Sequence, residues 1–171
     1  MIVFDPYYCS GCMRCMTACS TFNNGATSLF ESRIQILRHE GHAITGMNEE
    51  DDLIFDIATC LHCDDPYCVY PCPSLAIERN ADTGAIVINH DKCVGCRMCL
   101  VSCPFGAISY DTDKRAVVKC ELCNGDPQCV RFCPTGALKF MSKKTAHLPK
   151  KNRLARRTTE LRAIVSEEKA M

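Results

Sequence analysis

Sixteen cysteines in four spaced runs constrain this 171-residue chain more than any other feature. Run one is Cys9-x2-Cys12-x2-Cys15-x3-Cys19. Run two is Cys60-x2-Cys63-x4-Cys68-x3-Cys72. Run three is Cys93-x2-Cys96-x2-Cys99-x3-Cys103, and run four is Cys120-x2-Cys123-x5-Cys129-x3-Cys133. Pro73, Pro104 and Pro134 follow the last cysteine of runs two, three and four, whereas Ser20 follows run one. No cysteine lies outside the runs.

The spacing has a chemical reading. A [4Fe–4S] cubane needs one thiolate at each iron, arriving from different directions. A C-x2-C-x2-C loop wraps three corners with its backbone N–H groups turned toward the sulfides. The x3 step to the fourth cysteine is about one helical turn, which aims that thiolate away from the other three. Bacterial ferredoxin runs have this form, and their fourth cysteine ligates the other cluster of a pair. Proline suits the stop, because it cannot continue helical hydrogen bonding. Zinc sites read instead as two separated cysteine pairs. Disulfide scaffolds belong to small secreted chains. The runs therefore predict four iron–sulfur clusters.

The N-terminal MIVFDPYYCS has no basic n-region, apolar h-region or twin-arginine pair. No apolar run approaches the roughly 18 residues of a membrane span. The expected location is the cytoplasm, with export on a partner's signal left open. Tryptophan is absent, and so many positions are cysteine that the apolar core must be modest. Ligation is then linked to folding, and the apoprotein is predicted to be largely unfolded.

Between the runs the chain reads as hairpins. Ala76–Arg79 and Ala85–Ile88 flank the turn Asn80-Ala81-Asp82-Thr83-Gly84; Ile108–Tyr110 and Ala116–Val118 flank Asp111-Thr112-Asp113-Lys114. The repeating module is cluster loop, one-turn helix, hairpin, next cluster loop. Three runs continue into C-P-x-x-A-[IL], at Cys72–Ile77, Cys103–Ile108 and Cys133–Leu138. Residues 20–59 form the one long insertion, with strands expected at Ser32–Arg38 and Leu53–Ala58 and an acidic stretch, Glu49-Glu50-Asp51-Asp52, between them. Residues 1–140 carry 11 basic and 17 acidic side chains, a balance of −6, while residues 141–171 carry 9 and 3, a balance of +6. Leu154, Leu161, Ile164 and Val165 fit one face of a short helix in that tail, beside Arg153, Arg156, Arg157 and Arg162. The tail reads as a solvated end or as an arm that grips a partner, with nucleic-acid binding a minor third reading.

The ordered set of runs resembles the four-cluster ferredoxin-type subunits that serve molybdenum and tungsten pterin oxidoreductases, such as dimethyl sulfoxide reductase and formate dehydrogenase. CSGCMRCMTAC (9–19) is similar to that family's first run, which also lacks the proline. CLHCDDPYCVYPCPSLAI (60–77) is similar to its second, including His62 and Pro66. The resemblance covers residues 5–140. Run four departs from many members, which carry a long insertion between its second and third cysteines. The short form here looks more like the subunits accompanying tungsten aldehyde oxidoreductases and benzoyl-CoA reductases. Small four-cluster proteins that serve hydrogenases and carbon monoxide dehydrogenases are similar too.

The resemblance implies an α+β fold of two nested bacterial-ferredoxin-like modules with short helices and β-hairpins. Residues 1–52 and 115–140 would form the outer module, 53–114 the inner one, and 141–171 a basic tail. Four [4Fe–4S] clusters are implied. One outer cluster would take Cys9, Cys12, Cys15 and Cys133, and the other Cys120, Cys123, Cys129 and Cys19. One inner cluster would take Cys60, Cys63, Cys68 and Cys103, and the other Cys93, Cys96, Cys99 and Cys72. Spacing alone permits other pairings, because run four also lies close to run three.

No dinucleotide or phosphate-binding glycine loop is present, no triad can be argued, and all sixteen thiolates are used as ligands. The expected role is non-catalytic: a one-electron relay between a large catalytic subunit, holding a tungsten or molybdenum pterin, and a second redox partner such as a flavoprotein subunit or ferredoxin. An independent ferredoxin-type shuttle is the rival reading. His62 is expected to pack on a cluster or donate to a sulfur, and Met13, Met16 and Met98 to fill space adaptably. Arg14 and Arg97, at matching positions, offset cluster charge or lie exposed. Tyr67, Phe105 and Phe132 are expected in the core.

Overall fold

Alternating apolar residues around polar turns build the frame of the molecule. In the computed structural model, which describes residues 1–40 and 53–148, every sheet is a two-stranded antiparallel ribbon among the described residues. The acidic stretch 49–52 and the basic stretch 153–162 with its apolar face lie outside the described residues.

Strand β4 (Ile77–Arg79) pairs with β5 (Ile86–Ile88), setting Ile77 opposite Ile88. The turn between them is tied by Asn80, whose Oδ1 accepts from the backbone N–H of Asp82 at 2.9 Å and of Thr83 at 3.0 Å. Such an Asx turn replaces part of the missing ladder. Strand β6 (Ile108–Asp111) pairs with β7 (Ala116–Lys119) around a similar turn, where Asp111 Oδ1 accepts from Asp113 and Lys114. Both expected hairpins are present. The insertion forms a third: β2 (Ile34–Glu40) pairs with β3 (Leu53–Thr59), with Ile34 opposite Thr59.

The fourth ribbon joins the two ends of the cysteine-bearing body. Strand β1 (Ile2–Phe4) pairs with β8 (Leu138–Phe140), and the terminal amine donates to Met141 O at 2.6 Å. The Asp5 N–H extends the seam to Ala137 O at 2.8 Å. Runs one and four are thereby brought side by side.

The cluster loops differ in their helices. Ser20, not proline, follows run one, so nothing stops helix α1, which runs Arg14–Asn24 and ends on Gly25 in the left-handed region. Run three has only the short α2 (Met98–Ser102), and run four has α3 (Gln128–Arg131). Run two forms turns instead of the expected one-turn helix: Val69 N–H bonds Pro66 O at 2.9 Å and Cys72 N–H bonds Val69 O at 3.1 Å. Pro66 and Pro71 both remove donors that a helix there would need.

Two apolar cores result. One gathers Ile2, Met16, Ile34, Ile36, Phe55, Leu122 and Leu138 around Cys15, Cys19, Cys120 and Cys129. The other gathers Ile77, Ile86, Ile88, Ile108 and Val117 around Cys99, with Cys68, Cys72, Cys93 and Cys103 packed against it. The ribbons β2–β3 and β6–β7 each cross a module boundary expected from sequence, at 52/53 and 114/115. Phe55, on the far side of the first boundary, packs in the core of runs one and four.

Candidate metal centres

The residue before the second cysteine of every run takes a positive φ: Gly11 at 65°, His62 at 51°, Gly95 at 67° and Leu122 at 59°. This left-handed step lets the loop curl so that successive N–H groups face inward, the concave nest that suits anionic sulfur. Gly11 is required twice over. A Cβ there would lie 2.3 Å from Phe55 Cζ, so the Phe55 ring seals the loop of run one from above.

The loops curl around hollows. Cys72, Cys93, Cys96 and Cys99 line one, walled by Ile77, Ile88 and Val117. Cys60, Cys63, Cys68 and Cys103 line another, walled by Ile86 and Ile108. In each case the fourth cysteine that lines the hollow comes from the other run. The thiols of runs one and four also lie close enough to shift one another. Burial pushes the Cys15 thiol up to about 11, and its neighbours Cys12, Cys133 and Cys9 add to the rise. Burial likewise raises Cys129 strongly, followed by Cys120, Cys19, Cys123 and Cys15. Cys133 thus acts on Cys15 of run one, and Cys19 and Cys15 act on Cys129 of run four.

Backbone and hydroxyl donors are turned to sulfur. Gly11 N–H donates to Cys9 Sγ at 3.4 Å, Arg33 N–H to Cys19 Sγ at 3.3 Å and Ala76 N–H to Cys72 Sγ at 3.3 Å. Burial works to raise Cys72 and Cys133. The N–H groups of Ala76 and Leu138, with the hydroxyls of Ser74 and Thr135, outweigh it and hold both thiols below their usual range. Donors of this kind stabilise thiolate.

All sixteen cysteines are free thiols. Among the described residues no three Cys, His, Asp or Glu side chains converge tightly enough for a single metal ion. Thiols spaced around a hollow suit a polynuclear cluster with one iron per sulfur. The donor set, the hollows and the inward N–H groups all fit [4Fe–4S].

Comparison with known proteins agrees. The sequence profile of the 4Fe-4S dicluster domain matches residues 52–143. The chain belongs to the 4Fe-4S dicluster domain family. Relatives of this dicluster chain include the beta subunit of the NADH-dependent phenylglyoxylate dehydrogenase of Aromatoleum evansii, 41% identical over 70% of this chain and 25% of the relative. A sulfite dehydrogenase subunit of Allochromatium vinosum is 29% identical over 71% of this chain and 54% of the relative. A probable anaerobic dimethyl sulfoxide reductase chain of Escherichia coli is 33% identical over 68% and 58%. The dicluster chain thus spans less than two thirds of these curated relatives. A solved chain of the BamBC active-site complex of benzoyl-coenzyme A reductase aligns over 98% of this chain and 96% of its own, at 20% identity and a TM-score of 0.40.

Side chains near the cysteines divide into supports and rims. His62 is buried, and its Nδ1 accepts from Ile86 N–H at 3.0 Å, so Nδ1 has no proton to give Cys60 Sγ 3.8 Å away. Burial first, then the Lys119 charge, lowers its pKa to about 3, so the ring is neutral. The expectation that it donates to sulfur is corrected for that nitrogen: it braces run two against β5. Met16 is buried in the first core, whereas Met98 is half exposed. Arg14 is exposed, and Arg97 lies 3.7 Å over the Tyr110 ring. Tyr67, Phe105 and Phe132 are about half exposed, against the expectation of core. Each ring lies within two residues of a proline, Pro66, Pro104 or Pro134. Tyr67 and Phe105 line the Cys60 hollow from its solvent side.

Sequence reading missed two cations. Arg33 donates from Nη1 to Lys119 O at 3.3 Å and pairs with Glu121 at 3.1 Å, tying run one's loop to run four. Lys119 itself is fully buried. The signal was present: Val117 points inward, and strand alternation puts Lys119 on the same face.

Proposed function

We propose that this chain is a non-catalytic electron relay carrying four [4Fe–4S] clusters, held by the four mixed cysteine sets named above. The observation that carries it is the exchange of last cysteines, Cys72 into the hollow of run three and Cys103 into that of run two. Each cluster, when bound, accepts and releases one electron. The chain's residues supply the rest. N–H groups and hydroxyls at Cys9, Cys19, Cys72 and Cys133 stabilise thiolate charge, and apolar walls exclude water, the means by which proteins tune such centres.

Two nested bodies fit the two cores, with runs one and four outside and runs two and three inside, joined by the ribbons β2–β3 and β6–β7. Cys12 and Cys96 are the exposed cysteines, and they belong to different sets. Tyr7 and Tyr8 precede the run that holds the first, and Val94 and Val101 flank the second, all exposed. Such surfaces suit an entry point and an exit point on separate partners. A large oxidoreductase subunit with a tungsten or molybdenum pterin is the partner we assign to one of them, in line with the relative named as a dimethyl sulfoxide reductase chain. The basic tail of 141–171 is the proposed grip.

Anaerobic purification with metal and acid-labile sulfide analysis tests this reading. About 16 irons and 16 sulfides per chain are expected. Zinc in place of iron would overturn it. A co-purifying large subunit containing tungsten or molybdenum supports the permanent-subunit form, and an iron-replete free monomer supports a shuttle instead.

A further inference from the structure

Lys119 has its charge in the interior. It closes β7 at 1% exposure, and its Nζ donates to Ile86 O, to Cys120 O at 2.9 Å and to Cys60 Sγ at 3.8 Å. An ammonium has three N–H donors and no acceptor, and all three are used here. No carboxylate pairs with it among the described residues. A buried cation without an anionic partner is strongly unfavourable, so a negative group must face it. The candidates are the two sulfur sets it bridges. Cys60 belongs to the set of run two, and Cys120, whose carbonyl it holds, to that of run four. Ligated thiolate sets are net negative, and they gain further negative charge on reduction.

We propose that Lys119 is a positioning residue that sets reduction potential where these two sets meet: its ammonium favours the reduced state of the cluster held by Cys60, and secondarily of the cluster held by Cys120. The inference rests on the four-cluster reading above. One electron arrives from an external reductant or the neighbouring centre. No proton moves with it, because the three protons of Lys119 stay in their hydrogen bonds. Arg33 fixes the Lys119 carbonyl and so keeps the side chain at the junction.

The test is redox potentiometry followed by electron paramagnetic resonance on the whole anaerobic chain, comparing wild type with Lys119→Met and Lys119→Arg. Methionine keeps the stem and removes the charge. The expected result for Lys119→Met is unchanged iron with at least one cluster harder to reduce by about tenfold, or about 59 mV for one electron. Lys119→Arg should stay near the wild-type potential. Unchanged potentials in an iron-replete Lys119→Met protein would overturn the proposal. Should Lys119→Met lose iron, Lys119→Arg decides. Restored iron with wild-type potentials supports the charge, and loss in both assigns Lys119 to packing alone and overturns it. Wild-type protein without iron would refute the four-cluster reading itself, before any variant is compared.

Discussion

Cys103 and Cys68 line one hollow, although a hairpin and most of a cysteine run separate them in sequence. Cys103→Ala should therefore damage the centre of Cys60, Cys63 and Cys68. Its electron paramagnetic resonance spectrum should match that of Cys68→Ala and differ from that of Cys99→Ala. A match to Cys99→Ala would mean that run three keeps all four of its own thiols.

Gly11 and Gly95 occupy equivalent places but not equivalent space. A side chain at either meets the left-handed backbone penalty of about 1–2 kcal/mol. At Gly11 the new Cβ also strikes the Phe55 ring, whereas at Gly95 the nearest atom is Arg115 O at 3.4 Å. Overpacking adds about 1–3 kcal/mol. Gly11→Ala should lower the anaerobic thermal midpoint clearly more than Gly95→Ala. Equal effects would show that Phe55 moves aside freely.

Ser20 anchors the insertion. It is fully buried, its hydroxyl donates to Thr17 O, and it accepts from Ser28 N–H at 3.0 Å. Ser20→Ala leaves that N–H without its partner, at a cost of about 1–3 kcal/mol. Denaturant titration of the iron-loaded protein reads the loss directly. An unchanged midpoint would show that the Ser28 N–H finds another acceptor at no cost.

Removing iron should remove the fold. Cysteines form a large part of both cores, and burial raises thiols such as Cys15 and Cys120 to about 11, with neighbouring cysteines adding to the rise. Neutral thiols bury readily but fill a small core, and ligation is the folding energy of such sites. Far-UV circular dichroism after chelation should show loss of ordered structure and no cooperative melt. A cooperative transition in iron-free protein would contradict this.

The hairpins were legible because alternation and Asx turns are local: Ile77, Ile86 and Ile108 face inward as their strands predict. The run to Asn24 was also within reach, since Ser20 replaces the stopping proline. What escaped was non-local. Ile2–Phe4 is too short to announce β8 as its partner, and nothing near Gly11 names Phe55 as its lid. The pairing of Ile34–Glu40 with Leu53–Thr59 likewise depends on register and not on composition. Tyr67, Phe105 and Phe132 looked apolar enough for the core, but each sits beside a cluster cysteine at the surface. Lys119 hid in the habit of reading lysine as exposed.

The relay claim is tested most directly by counting electrons. Anaerobic reductive titration of the purified chain, followed optically and related to its iron content, should consume about four electrons per chain, one for each [4Fe–4S] centre. Uptake of about two electrons would leave half of the cysteine sets without a redox centre, and no uptake would contradict the account outright.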